Sequence, residues 1–185
     1  MKNKKYRSGE FSLTEGQVEK LLQNVTGLSE LCLLKLALSV GVRRLDIVNI
    51  KSADVDLEKS TVTFYQHKKK NTITRPVPIT VMQSLEMWLN INKSSWLFPG
   101  VYNSKVHMSD RHAYNVLQKC LERAGLPKRP FHALRATCTK LCQKNGWTPE
   151  QTAWLIDDSV KTVQEHYTTP SDEEMKEVVK EKGIL

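Results

Sequence analysis

In the stretch PFHALRATCT, residues 130–139, His132 and Arg135 stand three apart just after a proline. Positions i and i+3 share one face of a helix, so an imidazole and a guanidinium begin this helix pointing the same way. Alone, an H-x-x-R is most often a solvated first turn. Two further cationic islands change its setting. Arg43 and Arg44 follow Gly41 at the start of another helical stretch, and Lys68, Lys69 and Lys70 crowd a turn between two β-branched runs. Nearer the C-terminus, VQEHYTTP carries Tyr167 close to a helix end. Guanidinium forks grip anionic oxygens, an imidazole or ammonium moves a proton, and a phenol becomes a nucleophile when its proton is taken. Taken singly, each group has an ordinary explanation: surface charge, a solvated turn, or a tyrosine anchored in the core with its hydroxyl wet.

The elements that must position these groups are mostly helices. Thr14, with Gln17 at the capping-box position, opens a helix through about Leu22. Ser29 is expected to cap a second, whose Leu31, Leu34, Leu36 and Leu38 imply burial on more than one face, and which ends near Gly41. A short helical piece, RRLDIVNI, follows. Then the period changes. STVTFYQ and TITRPVPI are β-branched and partly alternating, with KKKN between them, and read as a hairpin with residues 55–57 as a third strand. Pro76 and Pro78 place the second strand at an edge or near its end. Helices return at about 79–91, 109–124 and 132–145. Gly146 is the expected C-cap of the last of these, and Thr148-Pro149-Glu150 starts another helix. A short helix at 159–167 leads to the tyrosine. Ser171 and Glu174 form a capping box for a final helix, with Met175, Val178 and Val179 on one stripe. The expected fold is α+β: mainly α-helical, with a small three-stranded antiparallel sheet. The expected divisions are a basic arm at 1–11, one domain at 12–170 and a helical tail at 171–185.

Composition bounds the function. A chain of 185 residues is long enough for one sizeable core, and 39% hydrophobic with 26% charged residues describes an ordinary globular protein. A net charge of +8 and a pI near 9.3 favour a polyanionic partner, nucleic acid first and an anionic membrane surface second. The most apolar stretch, LCLLKLALSVGV, is too short to span a bilayer and contains Lys35. The opening MKNKKYRSGEF has no apolar segment after it, so no signal peptide is expected, and the cytoplasm is the expected compartment. The four cysteines include no C-x-x-C. Cys138 and Cys142 read as small buried hydrophobes, with a zinc pair as the alternative.

Together, and in this order, the islands resemble the catalytic domain of the tyrosine recombinases, the phage-integrase family. The resemblance runs from about Ser12 to Thr169. GVRRLDIVNI is similar to the family's G-L-R-x-x-E-L segment, which implies Arg43 as the first catalytic arginine and Asp46 as the supporting acid. KNTITRPVPI is similar to the hairpin whose lysine precedes a Val-Pro element, and that spacing selects Lys70. WLFPG is similar to the Leu-Phe-Pro segment, HALRAT to the H-x-L-R-H-T box that holds His132 and Arg135, and HYTT to the nucleophile segment with Tyr167. There is one departure. Nine to ten residues before the tyrosine the family usually has Gly-His or Gly-Trp, and here LIDDSVKTV puts Asp158 at that catalytic position. A carboxylate accepts hydrogen bonds and repels phosphate, where His or Trp would donate.

The resemblance implies a site-specific DNA recombinase or integrase. Tyr167 would attack a DNA phosphodiester, giving a 3′-phosphotyrosyl link and a free 5′-hydroxyl. Arg43 and Arg135 would hold the non-bridging oxygens, His132 would accept a proton or orient the phosphate, and Lys70 would protonate the departing oxygen. The ester energy is kept in the phosphotyrosine, so no nucleotide, metal or other cofactor is expected. Lys68, Lys69, Arg111, Lys128 and Arg129 are expected phosphate contacts. Double-stranded DNA is the expected partner, with a monomer in solution and a tetramer in the synaptic complex; no membrane partner is expected. Nucleoid association and a viral or plasmid-borne mobile element fit the same reading. The segment before Ser12 is too short for the core-binding domain that usually precedes this one. The rivals are a non-cleaving DNA-binding relative, disabled at Asp158, and a relaxing enzyme of the type IB topoisomerase kind. A structural protein indifferent to DNA is more distant.

Overall fold

The helix α2, Leu28–Val40, is apolar on all sides, and Cys32, Leu33, Leu34, Leu36 and Ala37 are fully buried along it. A helix of this kind has to be wrapped by others. Its neighbours in the computed structural model are α1 (Glu15–Gln23), α4 (Ile79–Ile91), α5 (Asp110–Arg123) and α6 (His132–Lys144). The structure describes residues 8–166 together with 179, 180 and 183. Tyr167 and the tail expected to begin at Ser171 lie outside those residues, apart from three isolated positions.

α6 is the second buried helix. Ala133, Ala136, Thr137 and Thr139 are small enough to let it approach α2, and its two buried threonines are hydrogen-bonded. Thr137 Oγ1 donates to the Ala133 carbonyl (2.7 Å) and accepts from Leu13 N–H (2.8 Å); Thr139 Oγ1 donates to the Arg135 carbonyl (3.0 Å). An unmade bond at such a place would cost about 1–3 kcal/mol. Cys138 and Cys142 are buried on this helix. The thiol of Cys138 is raised above its ordinary pKa by its bond to Cys142 and by burial, which suits a packing role. Among the described residues no group of three or more His, Cys, Asp or Glu is placed to hold a metal.

The sheet is antiparallel in the order β1 (Val55–Asp56), β2 (Thr61–Gln66), β3 (Asn71–Pro76). Val62, Phe64 and Gln66 point inward from β2, the period-2 alternation expected of a strand with one buried face. β3 is an edge strand, as its proline demands, with Pro76 closing the ladder opposite Thr61. The four residues 67–70 make the turn, closed by Lys70 N–H on the Gln66 carbonyl (2.7 Å), and Lys70 takes a left-handed φ of 55°.

Most boundaries match expectation. Thr14 and Gln17 form the capping box of α1, and Thr148 with Gln151 does the same for α7 (Pro149–Ile156). Two caps differ. Gly27, not Ser29, precedes α2, because the helix starts two residues earlier than a serine cap would allow. Asn145 caps α6, and Gly146 is the next residue, with φ 80°. α3 is Arg44–Val48, and α8 is Val160–His166. Among the described residues, no helix is long and apolar enough to cross a membrane.

Candidate active site

Two chain segments converge on one cleft. Gly41 ends α2 at φ 60°, where a Cβ would lie 2.7 Å from Ile156 Cγ2, so only glycine suits both the turn and the close approach. The turn delivers Arg43 as the N-cap of α3. From the other side, α6 begins at His132. A cleft of about 300 Å³ is lined by Val42, Arg43, Arg44, Pro130, Phe131, His132 and Arg135. The expected pairing is therefore real: His132 and Arg135 reach the same space, His132 exposed at the rim and Arg135 only 2% exposed.

Arg135 is held almost rigidly. Its Nη1 donates to the carbonyls of Gly41 (2.8 Å) and Ile156 (2.6 Å), and its Nη2 to Asp158 Oδ2 (2.8 Å). The same Asp158 oxygen lies 3.7 Å from Arg43 Nη2. Asp158 also accepts from Ser159 N–H at 3.0 Å. Burial alone would raise the pKa of this carboxyl, but the Arg135 bond, the Ser159 N–H and the charge of Arg43 together hold it below its ordinary value. The Arg43 guanidinium is pushed the other way, below the usual arginine range, by burial and by Arg135, with Asp158, Asp46 and Asp157 opposing. Two donors are left over. Arg43 Nη1 and Arg135 Nε are buried and have no hydrogen-bond partner among the described residues. Unpaired buried donors are rare, and in a cleft they suit an anionic ligand.

The lysine turn is tied down on two sides. Asp46, on α3 and 2% exposed, accepts both the backbone N–H and the ring Nδ1 of His67 on one oxygen, each at 3.0 Å. Lys69 Nζ lies 2.7 Å from Asp157 Oδ2, at the C-terminal end of α7. Arg75 of β3 is buried, donates through Nε to the Leu155 carbonyl (2.9 Å), stacks 4.5 Å over Trp154 and approaches Asp157 Oδ1 at 3.5 Å. Asp157 holds a left-handed φ of 50°, which Asp tolerates better than most residues.

Asp46, the expected supporting acid, accepts its hydrogen bonds from His67, and its charge also favours the protonated Arg43 guanidinium. Lys68 and Lys70 are exposed at the turn. Arg111 is exposed on α5 with its guanidinium 5.7 Å from the centre of the Tyr114 ring; Lys128 is exposed and Arg129 half-buried in the loop before α6. Arg44 pairs with Asp110. The expectation did not include His67, Arg75 or Asp157. The histidine beside three lysines and the second aspartate of LIDDS were visible signals, but their partners lie far away in sequence.

The arrangement is that of a tyrosine recombinase catalytic domain. The crystal structure of XerA recombinase matches with a TM-score of 0.81 at 20% identity, over 92% of this chain and 64% of that one. A lambda integrase tetramer bound to a Holliday junction matches with a TM-score of 0.68 at 16% identity, over 87% of this chain and 50% of that one. The model of the phage integrase family matches residues 12–174, and the chain belongs to that family. A curated relative, the type 1 fimbriae regulatory protein FimB of Escherichia coli K12, is 28% identical over 149 residues, covering 75% of this chain and 74% of that protein. The chain spans less than two-thirds of both solved chains.

Proposed function

We infer that this protein is a site-specific DNA recombinase, a strand transferase that cuts and rejoins DNA through a 3′-phosphotyrosyl intermediate. The observation that carries the reading is the pair Arg43 and Arg135, buried in one cleft, each with an unpaired N–H and both turned to a single carboxylate oxygen. A DNA phosphate offers the same kind of oxygen. In the reaction, the Tyr167 oxygen bonds to phosphorus as the bond to the 5′ oxygen breaks. His132 takes the phenolic proton or orients the phosphate, and Lys70 gives a proton to the leaving oxygen. Arg43 and Arg135 neutralise charge that builds on the non-bridging oxygens, and losing either costs about 3 kcal/mol or more in the barrier. Lys68, Lys69, Arg111, Lys128 and Arg129 contact flanking phosphates, which fix register rather than read sequence.

The working unit is residues 12–170, with the arm 1–11 and the tail 171–185 as appendages. Double-stranded DNA is the partner, and copies of the chain assemble on it, in keeping with the lambda integrase tetramer on its junction. Action on DNA places the protein inside the cell, at the nucleoid.

The test is a pool of nicked duplexes with a randomised core, incubated with the protein and resolved on a denaturing gel. Wild type is expected to form a covalent adduct. Tyr167→Phe should abolish it while leaving DNA affinity nearly intact, because cations carry the affinity. An adduct that survives in Tyr167→Phe would move the nucleophile to another tyrosine, with Tyr65, Tyr102 and Tyr114 next. A second reading, a relative that binds DNA without cutting it, is favoured by Asp158 filling the arginine pair. Tight binding with no adduct in the wild type would select it.

A further inference from the structure

We propose that His67 is a positioning residue for DNA cleavage, holding the lysine turn against the helix that carries Arg43. The proposal rests on the reading above, in which Lys70 protonates the 5′ oxygen as the phosphorus–oxygen bond breaks. A lysine at an exposed hairpin tip has many rotamers and a mobile backbone beneath it. Here the backbone is not left mobile. His67 opens the turn and spends both its N–H and its Nδ1 on one oxygen of Asp46, each at 3.0 Å. Asp46 is three residues beyond Arg43 and almost wholly buried, so the anchor is part of the same rigid piece that sets the arginine. Its other oxygen, Oδ2, is buried without a hydrogen-bond partner among the described residues, so the His67 contacts are the hydrogen bonds through which this carboxylate is satisfied. The ring of His67 packs edge-on to Tyr65 at 5.1 Å, which restricts its rotation.

At the far end of the turn, Lys70 N–H closes on Gln66 and Lys70 adopts φ 55°. Lys69 reaches across to Asp157, the residue after the Arg135 acceptor Ile156. The turn is therefore fixed at two places, by His67 to Asp46 of α3 and by Lys69 to Asp157 at the end of α7. His67→Ala keeps the backbone N–H bond to Asp46 but removes the ring bond and the packing on Tyr65, so the α3 side loosens and Lys70 is less well placed, while the arginines keep their own bonds.

The two chemical halves of the reaction separate this role from a structural one. A duplex chosen from the pool is prepared with an ordinary phosphodiester and, in parallel, with a 5′-bridging phosphorothiolate, whose sulfur leaves without a proton. His67→Ala is expected to slow single-turnover cleavage of the ordinary duplex by about tenfold or more, within the range of general-acid effects. On the phosphorothiolate it should remain within about threefold of wild type, since no proton is needed there. His67→Asn, whose amide can donate to Asp46 from nearly the same place, should recover most of the ordinary rate. The ratio of the two rates does not depend on how much protein is folded, so a destabilised variant still reports. Equal slowing on both substrates, or no slowing on either, would overturn the proposal. Failure of the underlying reading looks different: Tyr167→Phe would still form adduct, or Lys70→Ala would lack the same substrate dependence.

Discussion

At the residue scale, Asp158 has two opposed effects. It is the counter-ion of a buried Arg135 and of Arg43, and it sits where the phosphate charge would be wanted. Asp158→Ala is expected to lower stability by about 2–3 kcal/mol near neutral pH, because it leaves a buried guanidinium without its partner. The pH dependence follows from the depressed carboxyl. Its contribution is whole above the ordinary value of 3.8 and is lost as pH falls through the lower folded value. Chemical denaturation of both proteins from pH 7 downward should show the gap closing only below about pH 4. Function should move the other way. Asp158→His supplies a donor in place of a repelling charge, and its adduct should form faster than wild type. A slower rate would mean that holding Arg135 matters more than freeing it.

At the scale of elements, the site depends on how tightly α2, α6 and α7 meet. Gly41 is the contact point: its carbonyl holds Arg135, and its missing Cβ makes room for Ile156. Gly41→Ala combines a left-handed backbone with a Cβ only 2.7 Å from Ile156 Cγ2, so a loss of about 2 kcal/mol or more is expected, read as a lower melting temperature. Cleavage should fall further than stability explains, because the overlap displaces a carbonyl that aligns the arginine. Arg75 performs the comparable task for the hairpin. Burial lowers its pKa against the pull of Asp157, yet it remains bonded to the end of α7 and stacked on Trp154. Arg75→Ala should cost about 2–4 kcal/mol by leaving the Leu155 carbonyl unpaired and Asp157 with one cation fewer. Its amide hydrogen exchange should rise first across β3 and the turn. Protection lost evenly over the whole domain would argue that the hairpin is not a separable element.

At the scale of the whole molecule, a charge of +8 makes DNA binding a counter-ion problem. Affinity should fall linearly with salt on logarithmic axes, with a slope near −0.9 for each phosphate neutralised. Lys128→Ala should reduce that slope by about one without changing which sequences are preferred. We propose that the tail from Ser171 contributes to assembly; Val179, one of the three residues expected on its apolar stripe, is exposed. Removing 171–185 is then expected to leave the melting temperature nearly unchanged and to abolish cooperative assembly on paired sites. A clear drop in melting temperature with faster cleavage would show instead that the tail folds back over its own site.

Local pattern was enough for most of the architecture. The capping boxes at Thr14 and Thr148, the all-round apolar α2 and the alternation of β2 are written in short windows, because helices and strands are set by periodicities of a few residues. The order of Arg43, Lys70, His132, Arg135 and Tyr167 along the chain was legible too, and it led to the family. What the sequence could not reveal were the partners. Arg135 is held by Gly41, Ile156 and Asp158; Asp46 accepts from His67; Lys69 and Arg75 are tied to Asp157. Those bonds join groups from about 20 to more than 90 positions apart, and no local rule selects among so many possible pairs. Only the packing of α6 against α2, with the hairpin laid against α3 and the end of α7, decides them, since groups so far apart in sequence meet only where the tertiary fold brings them together.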